Sequence, residues 1–111
     1  MSVTSEVNTI ILNWAIINSI DNINVISLKT ASGELFRKGY QSMENTSGTE
    51  RKYTFYLTES EGNGTLTGMS LFGNGATTTL GTGMEIVTQS VNITKNNTQS
   101  LLIYWNVRVM S

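Results

Sequence analysis

The sequence predicts a mainly β protein, an antiparallel β-sandwich with one N-terminal α-helix. Residues 50–109 read as four stretches in which apolar and polar residues alternate, separated by turns rich in Gly and Asn. The polar residues are mostly Thr, Ser and Asn, which favour strands and turns over long surface helices. Proline is absent, so every residue of a strand keeps its backbone donor. The length of 111 residues predicts a single domain, 1–111.

The N-terminal segment 5–18 is the one stretch that favours a helix. Ser5 can cap it, Glu6 suits its first turn, and apolar residues recur at helical spacing. These residues are Val7, Ile10, Ile11, Trp14 and Ile17. A strand is the competing interpretation, because Ile10, Leu12, Trp14 and Ile16 also alternate and β-branched residues are frequent.

The middle of the chain predicts one short strand and a less regular region. Asp21-Asn22 predicts a turn before a strand at 23–29, and Ala31-Ser32-Gly33 predicts a second turn. Residues 34–43 should be extended but irregular. The polar stretch 44–49 predicts a loop.

Four strands are then predicted at 51–58, 65–72, 84–94 and 99–109. The last is the clearest, with Leu101, Ile103, Trp105, Val107 and Val109 on one parity. Its connections are a turn at 60–64, a Gly/Thr loop at 73–83 and a hairpin turn at 95–98. Short connections favour antiparallel neighbours, so the sheet should be mainly a meander.

Composition removes several classes of function. Lys plus Arg number 7 against 8 acidic residues, with no basic cluster longer than two, so neither a nucleic-acid footprint nor a polybasic membrane patch is present. Cys and His are both absent, which removes disulfides, thiolate ligands and the commonest general base. No basic region opens the chain as in a signal peptide. We therefore expect a soluble protein that is not an enzyme and has no catalytic, cofactor-binding or metal site.

The Gly/Thr loop at 73–83 resembles a phosphate-binding loop only in its glycines. No Lys-Ser/Thr pair follows it, and the next element is a strand where a phosphate site needs a helix N-terminus. Glycines that permit positive φ in a long hairpin explain the loop better.

The acidic residues and serines give weak catalytic signals. Glu59 and Glu61 lie close together, but in a turn that should be solvated, and no carboxylate has an apolar context that would raise its pKa. No Ser precedes a Lys by three positions, so a Ser–Lys nucleophile is not indicated.

The aromatic residues divide by strand parity. Tyr53 and Trp105 fall on the apolar parity and should be core residues, whereas Tyr56 and Tyr104 fall on the opposite one. An exposed tyrosine pair would suit an oligomer interface or a carbohydrate platform, and the interface is the preferred interpretation.

The order of these blocks resembles small virion proteins of tailed bacteriophages. The matching blocks are Glu34-Leu35-Phe36-Arg37-Lys38, Glu61-Gly62-Asn63-Gly64, Leu71-Phe72-Gly73, the Thr-rich loop 76–83, Thr94-Lys95-Asn96-Asn97-Thr98 and the final strand. The chain looks most like a small tail-associated protein of a Bacillus siphophage. That group is similar to the shoulder domain of lactococcal phage receptor-binding proteins. The family has a longer Gly/Thr-rich segment before the Glu-x-Phe-Arg block, and only 29–33 stands in that place here.

This resemblance implies a structural or adaptor component of a phage tail tip or adsorption apparatus, acting by protein–protein assembly. The expected partners are other tail or baseplate proteins and further copies of the chain, as a trimer or hexamer, without nucleic acid or membrane. The expected location is the tail region of the virion, after synthesis in the host cytoplasm. A carbohydrate-binding module that contacts the bacterial envelope is the alternative.

Overall fold

The computed structural model describes residues 6–17 and 23–109, with side chains described at 9–12 and 23–109. These residues form eight β-strands. Their bounds are β1 Glu6–Ile17, β2 Ile23–Thr30, β3 Gly33–Gly39, β4 Ser42–Ser47, β5 Glu50–Leu57, β6 Gly64–Gly73, β7 Met84–Lys95 and β8 Gln99–Val109. The mainly β class is confirmed.

The predicted N-terminal helix is wrong, because Glu6–Ile17 is strand β1. Leu12 is buried and Ile10 packs on the core, whereas Ile11 between them is 70% exposed. This alternation has the period of a strand, and a helix face would have buried Ile10 and Ile11 together. Both ends of the predicted helix, Ser5 and residue 18, lie outside the described residues, as does the predicted turn at Asp21-Asn22. No helix among the described residues has the length and apolarity needed to cross a membrane.

The strands form two four-stranded sheets. The first sheet has the order β1-β8-β5-β4, and the second has the order β3-β2-β6-β7. Every pairing is antiparallel except β1 with β8, which is parallel. Strands near the two ends of the sequence therefore lie side by side, and among the described strands β1 is at an edge of its sheet.

The predicted meander is correct only for the hairpins β2–β3, β4–β5 and β6–β7. The turn after β5 and the turn at 95–98 both carry the chain from one sheet to the other. The predicted hairpin of the last two strands is therefore wrong, although the turn itself is present, with Gln99 N–H donating to the Asn96 carbonyl at 3.2 Å. The predicted loop at 44–49 is also corrected, since β4 includes residues up to Ser47.

Both sheets contribute to one hydrophobic core. From β8 it takes Leu101, Ile103, Trp105 and Val107, and from β5 it takes Tyr53, Phe55 and Leu57. From the second sheet come Ile23, Ile26, Leu28, Leu66, Met69 and Leu71. The parity predicted for β5 and β8 is confirmed, and Trp105 and Tyr53 are core residues with 1% of their surface exposed.

Candidate interaction surfaces

The face of the first sheet turned away from the core carries two rows of side chains. In one row Ile11, Tyr104 and Thr54 follow each other across β1, β8 and β5. In the next row Thr9, Leu102 and Tyr56 do the same. We call Ile11, Leu102, Tyr104 and Tyr56 the apolar outer face.

The two tyrosines of the apolar outer face are half-buried, so their prediction as exposed residues is only partly correct. Tyr104 has the Lys52 ammonium 5.0 Å from its ring centroid, a cation–π distance. Ile11 is by contrast a large apolar side chain left open to solvent at the sheet edge. Such a face suits contact with another protein better than contact with water.

A polar row crosses the outer face of the second sheet. Arg37, Ser27, Ser70 and Thr88 lie opposite one another on β3, β2, β6 and β7. Ser70 donates to the Glu85 carboxylate at 2.6 Å, and Lys29 forms an ion pair with the same carboxylate oxygen. The first three residues of the row are almost fully buried, and the loop between β6 and β7 contacts Arg37 on this face.

Arg37 fastens that loop, residues 74–83, to the sheet. Its Nη1 donates to the backbone carbonyls of Thr77 at 3.0 Å and Thr82 at 2.8 Å. Its guanidinium carbon lies 4.1 Å from the ring centroid of Phe72, and its Nε donates to Glu34 at 2.5 Å. Buried Nη2 has no hydrogen-bond partner among the described residues. The arginine is thus a structural clamp held by charge, stacking and backbone acceptors.

Glu34 is the acidic partner of Arg37 in this clamp. Its carboxylate accepts hydrogen bonds from Arg37, from the Ser27 hydroxyl and, at 3.1 Å, from the backbone N–H of Gly81. Burial raises the pKa of Glu34, but hydrogen bonds from Arg37 and Ser27 and the Arg37 charge outweigh it, so the pKa lies below its ordinary value.

The loop itself has the conformation predicted for a long hairpin. Asn74, Gly75, Gly81 and Gly83 have positive φ. Several of its backbone N–H groups are engaged within the protein: Gly81 with Glu34, and Thr77 and Thr79 with threonine hydroxyls. These donors are aimed at the protein's own oxygens, which is not the arrangement of a phosphate cradle.

A second buried cation holds the turn between β5 and β6. Lys95 Nζ donates to the Thr58 carbonyl at 2.8 Å, the Asn63 side-chain oxygen at 2.7 Å and the Glu59 carbonyl at 3.4 Å. Burial lowers the pKa of Lys95, opposed in part by the charges of Glu61 and Glu59. Three acceptors match the three protons of the ammonium, so the group is fully satisfied although it is buried.

Glu61 of this turn is less solvated than the sequence predicted. It accepts from Lys38 Nζ at 2.6 Å and from the Thr58 N–H at 2.9 Å. Burial raises the pKa of Glu61, but these hydrogen bonds and the Lys38 charge together outweigh it, so the net shift is downward. The pKa of Glu85 also lies below its ordinary value, and the largest cause is the hydrogen bond that Lys29 donates to its carboxylate. These glutamates are therefore ionised at neutral pH, which does not suit a general acid. Asp21 lies outside the described residues.

Among the described residues, no group of three or more acidic side chains is placed to hold a metal ion. Sequence reasoning did not find the buried roles of Arg37, Lys95 and Ser27. The alternation around Phe36 and Leu28 was a usable signal, because it places Arg37 and Ser27 on the opposite face from these core residues. The loop at 74–83 accepts hydrogen bonds from Arg37 on this face, and strand parity does not reveal that contact.

Comparisons with protein-family models, with curated protein sequences and with solved structures found no match to this chain. The resemblance to phage tail proteins therefore stays a prediction from the sequence blocks.

Proposed function

We propose that this chain is a structural or adaptor component of a bacteriophage tail tip or adsorption apparatus and works by protein–protein assembly. We further propose that its two sheets stack as a β-sandwich, which is supported by the core that they share. The phage context comes from the sequence blocks, and the assembly role is supported by the surfaces.

The observation that carries the assembly role is the edge strand β1 beside the apolar outer face. β1 is twelve residues long, and its only described neighbour in the sheet is β8. Ile11 on this strand is 70% exposed and lies opposite half-buried Tyr104. The unpaired backbone edge of β1 lies beside the apolar outer face. This arrangement favours the binding of another chain as an added strand.

The hydrogen bonds that hold the loop at 74–83 and the turn between β5 and β6 also fit an assembly role. The Arg37 clamp and the Lys95 cluster use their charges inside the protein, on backbone carbonyls and on Glu34 or Asn63. A part that persists in an assembly needs a rigid body more than it needs mobile loops.

The test is whether the protein is present in purified particles of the phage that encodes it, and at what copy number. Quantitative mass spectrometry of gradient-purified virions should find it at a fixed multiple of three per tail. The control for non-specific adhesion is a sample of virions that is mixed with recombinant protein and then purified on the same gradient. Presence only in the lysate, or only in the mixed control, would contradict the proposal.

A carbohydrate-binding module remains the second candidate, because Tyr56 and Tyr104 share one outer face. Lys52 already lies over the Tyr104 ring, so Tyr56 is the better stacking platform. Binding to cell-wall glycans that disappears in Tyr56→Ala, but not in Tyr40→Ala, would favour this function. A cell-wall pull-down without signal would remove it.

A further inference from the structure

We infer that the first half of β1 pairs with the same segment of a second copy, antiparallel and across a two-fold axis near Thr9. This inference rests on the proposed assembly function and names the edge and the partner that it uses.

The charge pattern of β1 leaves most of this edge strand without protection. An edge strand presents unpaired N–H and C=O groups, and charged side chains are a common protection against unwanted pairing. Charged residues that are at least partly exposed occur in each of the other edge strands: Lys38 in β3, Glu44 in β4 and Glu85 in β7. In β1 the only charged residue is Glu6, at its first position. The edge of β1 is thus weakly protected, because its residues 7–17 carry no charge.

The register of β1 selects the segment that can accept another strand. Its pairing with β8 runs without interruption from Glu6 to Leu12 and shifts between Leu12 and Ala15. A bulge disturbs the regular spacing of backbone groups, so a new strand should pair with the part before it. The centre of this regular segment is Thr9.

Pairing of this segment with itself brings no like charges together. With the two-fold axis at Thr9, Asn8 lies opposite Ile10, and Glu6 lies opposite Leu12 of the second copy. The two Glu6 residues are then roughly 20 Å apart along the strands, at about 3.4 Å per residue. This exceeds the Debye length of about 8 Å at physiological ionic strength. Self-pairing of this segment is therefore free of like-charge repulsion, which allows a second copy to occupy this edge.

The surroundings of this edge are incompletely covered in the single chain. Strand β7 of the second sheet lies near β1. Its residues Ile86, Val91 and Ile93 pack against the core but stay partly exposed. A second copy paired along β1 would extend the first sheet to eight strands. It would also cover the exposed side chain of Ile11 beside the new pair of strands.

Symmetry connects this pairing to the expected oligomers. A two-fold contact is isologous and produces dimers. A cyclic trimer has no two-fold axis, whereas a hexamer built as three dimers contains three of these contacts. The pairing therefore favours the hexamer over the trimer.

Cysteine cross-linking tests the register directly, because the chain contains no cysteine. Opposite residues of an antiparallel pair have Cα atoms about 4.5–5.5 Å apart, within the range of a disulfide. Thr9→Cys should therefore form disulfide-linked dimers on mild oxidation. Thr46→Cys is the matched control, since Thr46 is an exposed threonine on β4, the opposite edge of the same sheet.

A charge variant gives a second readout that does not depend on a disulfide. Thr9→Lys places two ammonium groups opposite each other and should weaken self-association in sedimentation by about tenfold or more. Thr46→Lys should leave self-association unchanged. Circular dichroism should show the wild-type strand content for both, because both threonines are exposed.

A wild-type protein that stays monomeric, or equal cross-linking of the two cysteine variants, would overturn the inference. If such a protein is still found in virions, the proposed function stands and only the self-pairing fails. If the protein dimerises through Thr9 but is absent from virions, the self-pairing stands and the proposed function fails.

Discussion

Adding one methyl group at Gly62 tests how tightly the turn between β5 and β6 packs against the core. Gly62 lies in the turn that carries the chain from β5 to β6, with φ of 67°. A Cβ built there would lie 2.6 Å from Leu28 Cδ1 and 3.4 Å from Leu57 Cδ1. Leu28 is completely buried, so it has little room to move away.

The expected cost of Gly62→Ala has two parts. Holding a non-glycine residue in the left-handed region costs about 1–2 kcal/mol. Forcing a methyl group against a packed core residue adds about 1–3 kcal/mol. Gly75→Ala is the control, because Gly75 also has positive φ but its Cβ would meet nothing within 4 Å. The control should show only the first part.

Urea unfolding followed by circular dichroism measures both variants. We expect the free energy of unfolding to fall by about 2–5 kcal/mol for Gly62→Ala and by about 1–2 kcal/mol for Gly75→Ala. Leu28→Ala removes the clashing atom, so in that background the cost of Gly62→Ala should fall to the cost of the control. Equal effects of the two glycine variants in the wild-type background would refute the packing argument.

The other three predictions concern Arg37, Glu34 and Trp105. Arg37→Met removes the clamp on the loop, so proteolysis within 74–83 should become about tenfold faster or more, as expected for loss of charged hydrogen bonds; an unchanged cleavage rate would contradict the clamp. Although burial raises the pKa of Glu34, Arg37 and Ser27 hold it below its ordinary value. Its contribution to stability is therefore present above about pH 4.3 and is lost as the pH falls through the folded pKa. Glu34→Gln should accordingly flatten the acid limb of a stability–pH curve, and an unaltered limb would rule this out. Trp105→Ala should cost about 3–5 kcal/mol in urea unfolding, and a loss below 1 kcal/mol would show that the site collapses.

The sequence was sufficient for what is local in the fold. Alternation in β5 and β8 identified the core residues, because side-chain direction in a strand depends only on parity. It also predicted the glycine conformations in the loop before β7. Partners of strands are not local, and here the predicted meander is correct only for the hairpins β2–β3, β4–β5 and β6–β7. A short turn such as 95–98 is compatible with a hairpin or with a crossing between sheets, and only the packing of both sheets decides between them.

The failure at β1 has the same origin. Val7, Ile10 and Trp14 fit a helical face, and Ile10 and Leu12 fit a strand equally well, so the pattern alone was ambiguous. The decision comes from β8, which offers a ladder that begins at Gln99. A contact between the two ends of the sequence overrides a local helical tendency, and no window of neighbouring residues contains it.

The same long-range contact connects folding with assembly. The Asn106 side-chain amide donates to the Leu12 carbonyl, 94 positions away in the chain, so β1 cannot dock until nearly all of the domain has been made. Contacts this distant form slowly, because loop closure must precede them. During that time β1, with no charge after Glu6, has both of its edges open. A lysine at Thr9 would remove this hazard at almost no cost to a monomer, since the position is exposed. An edge that pairs with another chain requires an uncharged strand, and β1 has one around Thr9.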